Sequence, residues 1–144
     1  MSVFVTDTHP ILWFTLNKQR ELSPKALAAF QSAADGNGFI YVPAVVLWET
    51  AILERKGRIK LAGGFLRWTE TIFKNSGFGI APLEPSAIDL AVAYNFNNDP
   101  FDNAVAAVAA DLSLPLVTFI KPVETVKSNE KPKRKVKSAK SKSE

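Results

Sequence analysis

Residues 38–57 read Gly38-Phe39-Ile40-Tyr41-Val42-Pro43-Ala44-Val45-Val46-Leu47-Trp48-Glu49-Thr50-Ala51-Ile52-Leu53-Glu54-Arg55-Lys56-Gly57. The period of the pattern changes halfway. Phe39 to Val42 is a β-branched and aromatic run closed by Pro43, which predicts a strand. From Ala44 to Lys56, the residues Val45, Trp48, Ile52 and Arg55 recur at three and four, the spacing of one helix face, and Gly57 supplies a C-terminal stop. A strand passing directly into a helix is the repeating unit of an α/β fold.

The flanks repeat it. On the N-terminal side, Val3 to Thr6 predicts a strand ending at Asp7, and His9 to Leu16 a short helix. Ser23-Pro24 has the hydroxyl cap and first-turn proline of a helix start. That helix runs through Leu27, Phe30 and Ala33 and stops at Asp35-Gly36-Asn37-Gly38. On the C-terminal side, Gly63-Gly64 precedes a helix over Phe65–Lys74. Gly79 to Leu83 is a weak third strand, Pro85–Tyr94 and Pro100–Asp111 are helical, and Leu114 to Ile120 is the last strand. The order βααβααβααβ predicts an α/β fold with a central parallel sheet of about four strands, flanked by helices on both faces in three layers. The last strand is nearly all apolar, the pattern of a central parallel strand.

Charge divides the chain. The 144 residues carry a net +4, but residues 121–144 hold nine Lys/Arg and three Glu, while residues 1–120 hold nine basic and eleven acidic side chains. A mildly acidic domain over 1–120 is therefore followed by a Lys-rich tail over 121–144. With only Val123, Val126, Val136 and Ala139 as apolar residues, the tail is expected to be disordered. Its Lys131-to-Lys137 run either holds RNA phosphates or is a solvated extension. No stretch approaches the roughly 20 apolar residues of a spanning helix. The apolar start is broken by Asp7, His9 and Pro10, unlike a signal peptide. A cytoplasmic protein is expected.

Chemistry is bounded by what is missing. With no cysteine and one histidine, disulfides, thiolate sites, a Cys nucleophile and a multi-His zinc site are excluded. Carboxylates remain. Asp7 ends the first strand, Glu49 lies in the first turns of the helix after the second, and Asp99 and Asp102 sit at the start of the Ala-rich helix. In a parallel sheet all can reach the carboxyl edge, where ligands bind. Together they would suit Mg²⁺ or Mn²⁺; singly, Asp7, Asp99 and Asp102 also suit helix caps or dipole partners. His9 is expected as a structural or site-edge residue. Trp13, Trp48 and Trp68 are expected in the core or at an interface, and an exposed one would meet a partner protein.

Four stretches in order, Asp7-Thr8-His9-Pro10-Ile11-Leu12-Trp13, Leu47-Trp48-Glu49-Thr50-Ala51-Ile52, Asp99-Pro100-Phe101-Asp102 and Leu116-Val117-Thr118, resemble PIN-domain proteins. The nearest likeness is to the VapC-type toxins of bacterial toxin–antitoxin pairs. The resemblance spans residues 1 to about 120 and extends to Gly57-Arg58-Ile59. It implies a three-layer PIN-like domain acting as a Mg²⁺- or Mn²⁺-dependent endoribonuclease, in which a metal-activated water attacks an RNA phosphodiester. It also implies a homodimer, neutralised by a small cognate antitoxin protein. Asp7, Glu49 and Asp102 match the first three acidic, metal-binding positions; Asp99 belongs to the same loop motif, and the Thr8 hydroxyl could support the metal.

The chain departs from the family near its C-terminal site positions. Ile120 stands where another Asp is usual, and Asn97 and Asn103 replace a common His and Arg. Three acidic ligands can still hold one ion with waters. The rival expectation is a catalytically weakened or inactive PIN-fold module that binds RNA or antitoxin.

Overall fold

The structure, a computed structural model, describes residues 1–94 and 98–118. The Lys-rich tail, Ile120 and Asn97 lie outside the described residues. In chain order the elements are β1 (Ser2–Thr6), α1 (Thr8–Thr15), α2 (Pro24–Ala34), β2 (Gly38–Pro43), α3 (Ala44–Arg55), α4 (Phe65–Phe73), β3 (Phe78–Ala81), α5 (Pro85–Tyr94), α6 (Pro100–Leu112) and β4 (Leu116–Val117). One short 3-10 turn over Gln19–Glu21 joins α1 to α2.

All three strand pairings are parallel, in the order β3-β2-β1-β4. Alternation along the strands divides the core between two faces. Ile40 and Val42 pack with Ile11, Phe30, Val46 and Trp68 on one side. Val5 packs with Ala81, Ala87, Val108 and Ala109 on the other, with Tyr41 against them. Helices on both faces of a four-stranded parallel sheet make the expected three-layer α/β fold.

Local chemistry sets the boundaries. Ser23 caps α2, its hydroxyl accepting from Ala26 N–H at 3.1 Å with Pro24 behind it. Gly57, at φ +75°, closes α3. There Gly57 N–H donates to Glu54 C=O at 2.9 Å and Arg58 N–H to Leu53 C=O at 2.9 Å, the paired bonds of a Schellman motif. Gly77 is set by space rather than torsion: a Cβ there would lie 1.9 Å from the Ala33 carbonyl oxygen.

Two expectations need correction. The third strand runs Phe78–Ala81 rather than Gly79–Leu83: Phe78 already pairs with Ile40 of β2, and Pro82 has no N–H to continue the ladder. The last strand is not central. Among the described residues β4 is a two-residue edge strand paired only to β1, and β1 and β2 occupy the middle. Its apolar character comes from burial against the sheet faces, where Leu116 and Val117 join the core, and not from a strand on each side.

Candidate active site

The carboxyl ends of β1 and β4 and the N-termini of α1, α3 and α6 meet at one edge. Asp7 follows the last residue of β1 in extended conformation, with φ −83° and ψ 175°, and caps α1. Its backbone N–H donates to Val117 C=O at 2.9 Å, tying it to β4. Its side chain accepts from Thr8 N–H at 2.8 Å through Oδ1 and from the Thr118 hydroxyl at 3.4 Å through Oδ2. The Thr8 hydroxyl, buried at 1 % exposure, donates in turn to Glu49 Oε1 at 2.6 Å. One hydrogen-bonded run therefore joins Thr118, Asp7, Thr8 and Glu49, from three separate parts of the chain. One turn below Val46, the buried Thr50 returns its hydroxyl to the Val46 carbonyl at 2.8 Å, so it stays out of this run.

Asp99 caps α6, its Oδ1 accepting from Phe101 N–H at 2.9 Å and Asp102 N–H at 3.4 Å. Pro100 opens the helix and Asp102 lies in its first turn, where a negative charge meets the positive end of the helix dipole. The capping reading of Asp7 and Asp99 is thus realised in the hydrogen bonds. It does not exhaust either residue, because both charges are felt at the same place. Burial pushes the Asp7 carboxyl above the ordinary carboxylate range. The Thr8 N–H, the His9 charge and the Thr118 hydroxyl oppose that rise, and the neighbouring Asp99 charge adds to it. His9 itself is exposed and tilts against Trp13 at a centroid distance of 5.8 Å, a site-edge position.

Asp7, Thr8 and Glu49 are brought into contact, and Asp99 acts on Asp7 through its field. Among the described residues no three His, Asp or Glu side chains gather closely enough to hold a metal ion. Glu49 accepts from the Thr8 hydroxyl through Oε1 and Asp99 from the α6 backbone through Oδ1, so one oxygen of each is engaged with a protein donor. In kind, the oxygen donors fit a hard divalent cation. Asn103 is buried in the first turns of α6 at 7 % exposure.

Two contributors are absent from the sequence-derived candidates. Thr118 reaches Asp7 because it follows β4 at the same sheet edge, and a search for hydroxyls at every strand's carboxyl end would have found it. Phe101 supports Trp48 edge to face, with centroids 5.2 Å and planes 76° apart. Trp48 is no core residue: it is 62 % exposed, whereas Trp68 is 7 % exposed. Its place on the spacing shared by Val45 and Ile52 lies at the margin of the buried stripe, where Phe101 of α6 meets it.

The chain matches no known protein-family model and no curated protein. No helix among the described residues is long and apolar enough to cross a membrane.

Proposed function

We propose that the chain is a metal-dependent endoribonuclease of the PIN-domain, VapC-like kind. The supporting observation is the half-buried carboxyl of Asp7 at the sheet's carboxyl edge, tied through Thr8 to Glu49 and raised in proton affinity first by burial and in smaller part by the Asp99 charge. Burying one carboxylate in the field of another costs free energy that a cap alone does not require. A divalent cation would reverse that cost. Asp7, Glu49 and Asp102 would hold Mg²⁺ or Mn²⁺, with Asp99 shaping the field around them. Such a cation supplies Lewis-acid stabilisation of phosphoryl charge and activation of an attacking water. Thr8 and Thr118 orient the Glu49 and Asp7 carboxylates, and no protein nucleophile is required. In this reading the enzyme acts in the cytoplasm as a homodimer and is neutralised by a small antitoxin protein.

A second reading has its own support. The acidic side chains are not gathered at ligating distance among the described residues, and Ile120 stands where the resemblance implies a further Asp. A PIN-fold module that binds RNA or antitoxin without turnover fits both facts. Incubation of the full chain with structured RNA and Mg²⁺ or Mn²⁺ separates the two. The nuclease reading expects cleavage that ends with chelator, with Asp7→Asn and with Glu49→Gln. A folded, metal-supplied protein that leaves RNA intact overturns it in favour of the binding module.

A further inference from the structure

We infer that Trp48 is a stacking platform for an unpaired nucleobase, and that Arg55, Lys56, Arg58 and Lys60 hold the phosphates of the single strand leading away from it. The inference rests on the reading of the acidic edge as a site acting on RNA, and extends it to a named track along α3.

Three observations carry it. Trp48 directly precedes Glu49, and the Phe101 it touches lies between Asp99 and Asp102 in the chain, so the ring sits at the junction of the two elements that carry these carboxylates. At 62 % exposure it leaves a large apolar surface in water at a cost the core does not recover. Its position is nevertheless fixed, by the helix beneath it and by the edge-to-face contact with Phe101. A rigid, exposed indole is the form a stacking surface takes, since little side-chain freedom is lost on binding.

Charge supplies the direction. Four of the nine basic residues in positions 1–120 fall within Arg55-Lys56-Gly57-Arg58-Ile59-Lys60. All four are exposed, and none forms an ion pair among the described residues. Arg55 lies seven residues after Trp48, almost two full turns, so it projects from the same helix face about 10 Å further on. That distance suits one to two nucleotides of extended strand. The Schellman turn at Gly57 then fixes the path of Arg58 and the loop. Arg55 and Lys56 also complement the negative end of the α3 dipole, but that role extends neither to Lys60 nor to the tryptophan. Within residues 1–120, whose charges sum to −2, this is where a polyanion meets the least repulsion. Four exposed cations beside an exposed indole match an occupant that offers both repeated negative charge and flat stackable rings, and single-stranded RNA offers both.

The test is binding of the full chain, in chelator, to a fluorescein-labelled single-stranded oligoribonucleotide of about a dozen residues, at two salt concentrations. Trp48→Ala is expected to weaken binding about tenfold and Trp48→Phe to retain most of it. Changing Arg55, Lys56, Arg58 and Lys60 to Gln should flatten the dependence of log affinity on log salt by about 0.7 for each cation removed. A duplex of the same length should bind without sensitivity to Trp48. Unchanged affinity in Trp48→Ala together with an unchanged salt slope in the Gln variant overturns the track. If Trp48→Ala instead converts a dimer to a monomer in sedimentation while RNA affinity holds, the face is an interface between copies and the inference falls. Because binding is read without divalent ions, it stands or falls apart from cleavage. Loss of the track leaves an Asp7-dependent nuclease intact, and absence of cleavage leaves the track measurable.

Discussion

Asp7 ends a strand, caps a helix and holds a carboxyl where water is scarce. The third role opposes the other two. Because burial lifts its proton affinity above the ordinary value of 3.8, the folded chain holds the proton more tightly than the unfolded chain. Between the two values stability falls as pH rises, and above the folded value the full penalty remains. Without divalent ions, Asp7→Asn keeps an acceptor for Thr8 N–H and removes the charge. Its melting temperature should exceed that of the parent at pH 7, and the gain should vanish below about pH 4. A lower melting temperature at pH 7 would mean that the Thr8 and Thr118 contacts outweigh the burial. Thr8→Val keeps the shape but strands Glu49. A loss of about 2 kcal/mol in urea unfolding is expected, the scale of a hydrogen bond to a charged group.

At the scale of elements, the ends of helices are where stability can be edited without touching the site. Ser23→Ala removes the α2 cap bond and should cost about 1 kcal/mol in chemical denaturation. Gly77→Ala should cost about 3 kcal/mol, since its methyl would have to displace the backbone at Ala33. Features of this kind are local, and for that reason they were legible beforehand. Ser23-Pro24, Gly57 and the change of period at Pro43 each mark a boundary within a few residues of sequence. The place of β4 in the sheet was not legible, because an apolar strand reports that its faces are covered and says nothing about how many neighbours it has. That Asp7 and Glu49 approach one another was legible through the rule for parallel sheets, and the hydrogen bonds through Thr8 join them. Thr118 and the exposure of Trp48 were not legible, since both depend on how β4 and α6 arrive from far along the chain.

Across the molecule, charge is distributed unequally. Residues 121–144 add +6 to the −2 of residues 1–120, so truncation after residue 120 should weaken binding to RNA at low salt and leave it nearly unchanged at high salt. Equal affinities at low salt would assign RNA binding to the domain alone. The sheet has a gradient of its own. β1 and β2 share a four-residue register in the interior, while β4 meets β1 over two residues at the edge. Yet β4 positions both the carbonyl that receives the Asp7 amide and the hydroxyl that reaches its carboxyl. Local opening of this margin would release those restraints without global unfolding. The Asp7 amide should therefore exchange its hydrogen for deuterium sooner than that of Ile40, which lies fully buried in the interior strand β2 and donates to Gly77 just before the four-residue pairing with β3. The electrostatics of the acidic edge would then follow the breathing of its least anchored strand, and a ligand that clasps this edge would be read as slowed exchange at Asp7 before any rise in overall stability.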